Sequence, residues 1–292
     1  MSFFRTLAIA GAVAGGLVAG TCGALAQDPA GGAPAPVATA PAGPTYADLA
    51  ALSDAAELVL RVQIRKATAL KPERAQRVAP GFARLYVEAN TLALIAGRSG
   101  VGAGVTYLVD VPLDARGKVP KLKKREFLLF ARGVPGRPGE LQLIAPGAQI
   151  DYAPALEARV RPILTELYAK DAAPRITGIS DALAVPGTLT GESETQIFLA
   201  TENRSPVSIT VLRRPGQRPQ WGVSWGEIID SAAQPPAPET LRWYRLACAL
   251  PAQLPSNANL SREAAERRLA AGDYAFVRQA LGPCERRITQ GG

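Results

Sequence analysis

From Glu192 to Ile228, apolar and polar residues alternate through three short runs, Thr195–Thr201, Val207–Arg213 and Gln220–Gly226. A period of two sends successive side chains to opposite faces, so this stretch is committed to extended strand. Turn chemistry separates the runs, first Glu202-Asn203-Arg204-Ser205-Pro206 and then Pro215-Gly216-Gln217-Arg218-Pro219. The pattern predicts an antiparallel three-stranded meander. Centring the second turn on Gly216 pairs Val211 with Trp221, Ile209 with Val223 and Val207 with Trp225, all six facing one core. Gly222, Ser224 and Gly226 then form an opposite face small enough to lie under a helix.

A second β-rich region precedes the meander. In Leu58–Ile64, Leu58, Leu60, Val62 and Ile64 share one face. Phe82–Ile95 alternates until its phase slips near Thr91–Leu92, which predicts a bulge. Val105–Val111, Glu126–Ala131 and Leu141–Ala145 complete five strands with turn signals between them. Five such strands predict a small barrel or a rolled sheet, with the OB type as the nearest five-stranded architecture. That type normally carries a helix between its third and fourth strands. Here the segment is Pro112–Arg125, with one glycine, two prolines and little helical periodicity.

Helical patterns surround the strands. A short helix is predicted over Tyr46–Leu52, capped by Thr45. Another starts at Pro154, with Pro162 inside it as a kink or a reset of its start. Ile176–Leu183 is a further candidate strand. Glu239–Leu250 reads as helix, then Arg262–Ala271 capped by Ser261 and stopped by Gly272, then Tyr274–Leu281 capped by Asp273. The expected fold class is therefore α+β, with a five-stranded OB-like β domain over residues 46–152. An α+β domain over residues 153–292 follows, its meander packed with disulfide-linked helices.

Residues 1–26 read as a signal peptide: Arg5 before the apolar run Leu7–Ala19, then the small-x-small site Ala24-Leu25-Ala26. Cleavage before Gln27 is expected, followed by a Pro/Ala/Gly-rich linker over residues 27–45. Ala19-Gly20-Thr21 before Cys22 is a poor lipoprotein signal. Losing the leader leaves Cys248 and Cys284, an even pair in an oxidising compartment, where a disulfide is the expectation. The chain carries 33 basic and 25 acidic residues, a net +8, which falls to +7 without Arg5. A basic exported protein meets acidic envelope surfaces before it meets nucleic acid.

The chain has no histidine. That excludes Ser-His and Cys-His catalysis, HExxH zinc sites and histidine acid–base work. Gly222-Val223-Ser224-Trp225-Gly226 matches G-x-S-x-G, but a nucleophile elbow needs a strand-to-helix turn and a histidine. These five residues read instead as the small side of a strand. Gly97–Gly104 is glycine-rich but leads into a strand, so it reads as a hairpin loop and not a phosphate cradle. Carboxylate chemistry survives, with Glu192 and Glu194 before the meander and Glu227 and Asp230 after it; paired carboxylates are the machinery of glycosidic hydrolysis. The binding candidates are Lys118, Lys121, Lys123, Lys124 and Arg125, together with Arg61 and Arg65, with Tyr86 and Phe127 as aromatic platforms. Pro215–Pro219 is a second candidate contact surface. No cofactor and no metal are expected.

The leader, the linker and the phrases GESETQIFL, LRRPGQ and LRWYRLACALP together resemble uncharacterised exported proteins of Gram-negative bacteria. The resemblance spans Tyr46 onward; it implies a periplasmic address and contributes no site. The expected function is that of a non-catalytic envelope protein binding a protein partner or an anionic envelope component. The alternative is a carboxylate-based hydrolase of envelope polysaccharide.

Overall fold

The computed structural model describes residues 43–228 and 233–288. The predicted signal peptide, Cys22, most of the linker and Asp230 lie outside the described residues. The first element is helix α1 (Tyr46–Ala55). Its start is set by a capping box: Thr45 Oγ1 accepts from the Asp48 amide at 3.1 Å, and Asp48 Oδ2 accepts from the Thr45 amide at 2.9 Å.

Five strands then close a barrel: β1 (Leu58–Ala69), β2 (Phe82–Gly97), β3 (Gly104–Pro112), β4 (Glu126–Gly133) and β5 (Glu140–Leu143). β1, β2 and β3 form an antiparallel series, β3 pairs β5 in parallel, β5 pairs β4, and β4 returns to β1. This is the predicted OB-like barrel. Between β1 and β2 the register passes from Arg61↔Ala93 to Val62↔Thr91, leaving Leu92 as an extra residue where the phase slip placed a bulge. Leu60, Val62, Leu85, Val87 and Leu129 fill the interior.

No helix joins β3 to β4. Leu122 is only 4% exposed and packs into the barrel core from that connection. Two backbone bonds hold it there: the Lys124 amide donates to the Ile64 carbonyl at 2.8 Å, and the Ile64 amide donates to the Arg125 carbonyl at 2.9 Å. In place of a helix, this connection contributes Leu122 to the barrel core.

A sixth strand, β6 (Gln149–Asp151), was not visible as a periodic run. It pairs Phe127–Leu129 of β4, on the edge that β5 uses further along. β4 is buried on both faces, as its continuous apolar run Phe127-Leu128-Leu129-Phe130-Ala131 requires. Leu128 and Phe130 point out of the barrel into a layer made with α1, α2 (Pro154–Leu167) and α3 (Leu241–Ala247). Pro162 lies inside α2 without breaking it.

The second sheet contains β7 (Ile176–Pro186), β8 (Ser193–Thr201), β9 (Val207–Arg213) and β10 (Gln220–Ser224), all antiparallel, in the order β10-β9-β8-β7. Val211 pairs Trp221 and Ile209 pairs Val223, the predicted register. The ladder ends at Ser224↔Ser208, so Trp225 lies past the strand, although it packs against the same core. Helix α4 (Ala264–Leu281) covers this core, joined by Leu246 and Ala247 at the end of α3.

Four expectations are corrected here. The C-terminal pair of helices is a single helix running through Gly272 and Asp273. Asp273 is fully buried and caps nothing; it accepts from Arg213 Nε at 2.6 Å and from Thr195 Oγ1 at 2.5 Å. A tertiary ion pair to the sheet uses the carboxylate that local sequence offers to a cap. Ser261 likewise caps nothing and accepts from the Ala184 amide of edge strand β7 at 3.0 Å. Finally, no helix lies over Gly222: a Cβ there would overlap the Ala233 carbonyl, so the returning chain packs directly on the small-residue face.

A disulfide joins Cys248, after α3, to Cys284, after α4. Beyond it the Arg287 and Ile288 amides donate to Asp48 Oδ1 at 3.0 Å, which ties the end of the described chain to α1. Among the described residues, no helix is long and apolar enough to cross a membrane.

Candidate binding face of the barrel

The barrel is closed on itself, so the outer faces of β2 and β3 have nothing beneath them but their own interior. Cross-strand partners on that outer face are Phe82↔Pro112, Arg84↔Asp110, Tyr86↔Leu108 and Glu88↔Thr106. Phe82 is 43% exposed, Tyr86 40% and Leu108 48%. Apolar pairs therefore flank an ion pair. Arg84 Nε and Nη2 donate to the two Asp110 carboxylate oxygens at 2.7 and 2.8 Å. Those bonds raise the Arg84 guanidinium above its ordinary pKa. The pair is a fixed, planar, neutral unit in the middle of the face.

A groove of about 600 Å³ runs along this face. It is lined by Arg84, Tyr86, Leu108 and Asp110 of the strands, by Val134 and Arg137 of the β4–β5 loop, and by Pro146. Arg137 is itself paired with Glu140 at 3.2 Å. The two guanidiniums and two carboxylates lining the groove thus neutralise one another. Burial pushes the Tyr107 phenol well above its ordinary pKa, and it donates to Gln149 Oε1 at 2.7 Å.

The predicted basic site divides in two. Arg61 donates twice to Glu126, at 2.9 and 2.6 Å, and lies 3.9 Å over the Tyr152 ring. Arg65 pairs with Glu88 at 2.7 Å, and Arg125 with Asp151 at 2.5 Å. These three arginines are neutralised in place. Lys118, Lys121, Lys123 and Lys124 are exposed on the β3–β4 connection, and among the described residues none has a carboxylate within 4.0 Å. Phe127 is no platform: it is 3% exposed inside the barrel. Tyr86 lies on the grooved face instead.

The carboxylates are spread along the second sheet. Glu194 pairs Leu212, whose other neighbour is Gln220, at one end; Glu227 follows Ser224 beyond the other end. Glu192 accepts from the Leu189 amide within its own turn at 3.3 Å, and Glu194 accepts from Gln196 at 2.6 Å. Ser224 of the G-x-S-x-G match is buried at the end of β10, and a loop follows it, not a helix. Residues 97–104 connect β2 to β3, as a hairpin loop should. Among the described residues, no group of three or more potential metal ligands converges.

Of the groove residues, only Tyr86 was singled out in the sequence. A signal for others was present. Leu108 is apolar at an outward position between two polar outward residues, Thr106 and Asp110. Neither a scan against protein-family models nor a search of curated proteins finds a match to this chain.

Proposed function

We propose that the protein is a non-catalytic binding protein of the cell envelope, exported to the periplasm, that holds a protein partner on the outer β2–β3 face of its barrel. The row Phe82/Pro112, Arg84/Asp110, Tyr86/Leu108 carries this reading. Exposed aromatic and aliphatic anchors around a fixed charge pair are the composition of a binding centre. OB barrels commonly bind on this face between their β1–β2 and β4–β5 loops, an analogy of fold that adds to the chemistry without replacing it. The Cys248–Cys284 disulfide fits an oxidising compartment.

A second reading rests on the four lysines without carboxylate partners. They suit an anionic envelope component, recognised by charge and weakened by salt.

Capture from periplasmic extract on immobilised protein separates the two. The double variant Tyr86→Ala/Leu108→Ala is expected to lose the protein that the native chain retains, while Lys121→Glu/Lys124→Glu retains it. Loss only with the lysine variant, reversed by salt, moves the site to the β3–β4 connection. Equal capture by all three proteins removes both surfaces from consideration.

A further inference from the structure

β3 meets β5 over only two residue pairs, Thr106↔Glu140 and Tyr107↔Leu141. From residue 108 to 112 its edge away from β2 has no strand beside it among the described residues. The orientation of the main chain there is fixed by its neighbours. The Thr106 amide donates toward β5, to the Gly139 carbonyl at 2.8 Å. Alternate residues of a strand direct their N–H and C=O groups the same way, so Asp110 presents its backbone to the open edge.

A second open edge borders the same seam. β6 continues the line of β5 along β4 and pairs with β4 alone. The Tyr152 amide donates to Glu126 at 3.0 Å, and the Phe130 amide donates to Ala148 at 2.9 Å. The even-numbered residues of this segment therefore face β4, and Gln149 and Asp151 turn their backbones away from it. β3 beyond Tyr107 and β6 thus each carry a main-chain edge with no strand beside it among the described residues.

Resting on the reading of this face as the binding surface, we propose that the partner enters as an extended, uncharged polypeptide segment that adds to β3 as a strand. Main-chain groups at an open edge are matched by another main chain in extended form. Five residues of edge span roughly 16 Å, the length of an ordinary strand. The groove runs beside that edge, with Leu108 on β3 and Tyr86 opposite it on β2 forming an apolar pair for an outward side chain of the added strand. Its charges are closed into Arg84–Asp110 and Arg137–Glu140 pairs, so it offers no free charge to a charged segment. A stretch rich in carboxylates would instead be drawn to Lys118–Lys124 on the neighbouring connection.

The test uses the whole mature protein and a phage library of random linear dodecapeptides as the probe. Enriched peptides are expected to be apolar and uncharged, and to slow exchange of the Asp110 amide, read residue by residue by NMR, by about tenfold or more. Asp110→Ala breaks the ion pair but keeps the amide and is expected to weaken peptide binding less than about tenfold. Asp110→Pro also removes the donor and is expected to abolish binding. Enriched peptides that need Tyr86 but leave the Asp110 amide unprotected would overturn strand addition while leaving the binding face standing. Peptides indifferent to Tyr86→Ala, or no enrichment at all, would overturn both. Protection of Asp110 in peptide-free protein at high concentration, with dimers in sedimentation, would assign the edge to a second copy and overturn the heterologous partner.

Discussion

The two sheets solve the same burial problem in opposite ways, and the proposed division into scaffold and site follows that difference. The barrel buries one face by closing on itself and leaves the β2–β3 exterior uncovered. The four-stranded sheet is covered on both sides at its centre: Val207, Ser208, Ile209, Thr210 and Val211 are all buried. α4 lies on one side of it, and the returning chain at Ala233 lies on Gly222. Charge follows the same division. The sheet holds Asp273 wholly buried against Arg213, whereas the barrel's exterior ion pairs keep solvent contact. Substitutions in the sheet should therefore cost stability, and substitutions on the barrel face should cost binding.

Arg213→Ala should have the largest effect. It leaves the fully buried Asp273 carboxylate without its cationic partner, and stranding a buried charge in this way costs about 3–5 kcal/mol. Chemical denaturation measures it; a loss below about 1 kcal/mol would mean that the sheet side is no more tightly specified than the barrel exterior. Removing the disulfide with Cys248→Ser/Cys284→Ser frees a loop closed over a sequence separation of 36. On the chain-entropy model this costs roughly 3–4 kcal/mol. Thermal unfolding of the oxidised native protein against the variant reads the difference.

Gly222→Ala sets a methyl group against the Ala233 backbone, and overpacking of this kind costs about 1–3 kcal/mol. The match to G-x-S-x-G then has a structural reason: its first glycine admits a crossing chain.

Acid should act first between the two sheets. Asp54 at the end of α1 accepts from Arg245 at 2.7 and 2.9 Å and from Arg175 at 2.8 Å. Burial alone would raise its pKa, but the hydrogen bonds from Arg245 and then Arg175 outweigh burial and hold the carboxyl below its ordinary value. A depressed carboxylate stabilises the fold fully above its unfolded pKa, near 3.9, and the contribution disappears as pH falls below that toward the folded value. Stability should thus decline below about pH 4, and Asp54→Asn should flatten that decline. An unchanged acid limb in the variant would place the sensitive group elsewhere.

The smallest stability effect is expected on the barrel face. Tyr86→Ala and Leu108→Ala should each change stability by no more than about 0.5 kcal/mol, the range of ordinary surface substitutions.

These contrasts also explain what the sequence disclosed. Strict alternation showed the meander and its register at Val211↔Trp221, because a one-residue slip would turn Val207, Ile209 and Val211 away from the core. Five barrel strands and the bulge at Leu92 were legible for the same reason. Local rules misplaced Ser261 and Asp273, both good helix caps, because their partners, Ala184, Thr195 and Arg213, lie about 60–80 residues away in the chain. β6 escaped because three residues carry no period. The basic cluster was legible as charge but not as pairing: nothing local says that Arg61 meets Glu126, or that Arg125 meets Asp151. The groove stayed hidden because it depends on β2, β3 and the β4–β5 loop coming together.

The proposed contrast, a binding barrel on a scaffold sheet, is tested most directly by photo-cross-linking in living cells. A photoreactive phenylalanine analogue would replace Tyr86 on the barrel or Phe198, equally exposed, on the sheet. Protein adducts from position 86 and none from position 198 are the predicted result. Adducts from position 198 alone would contradict it.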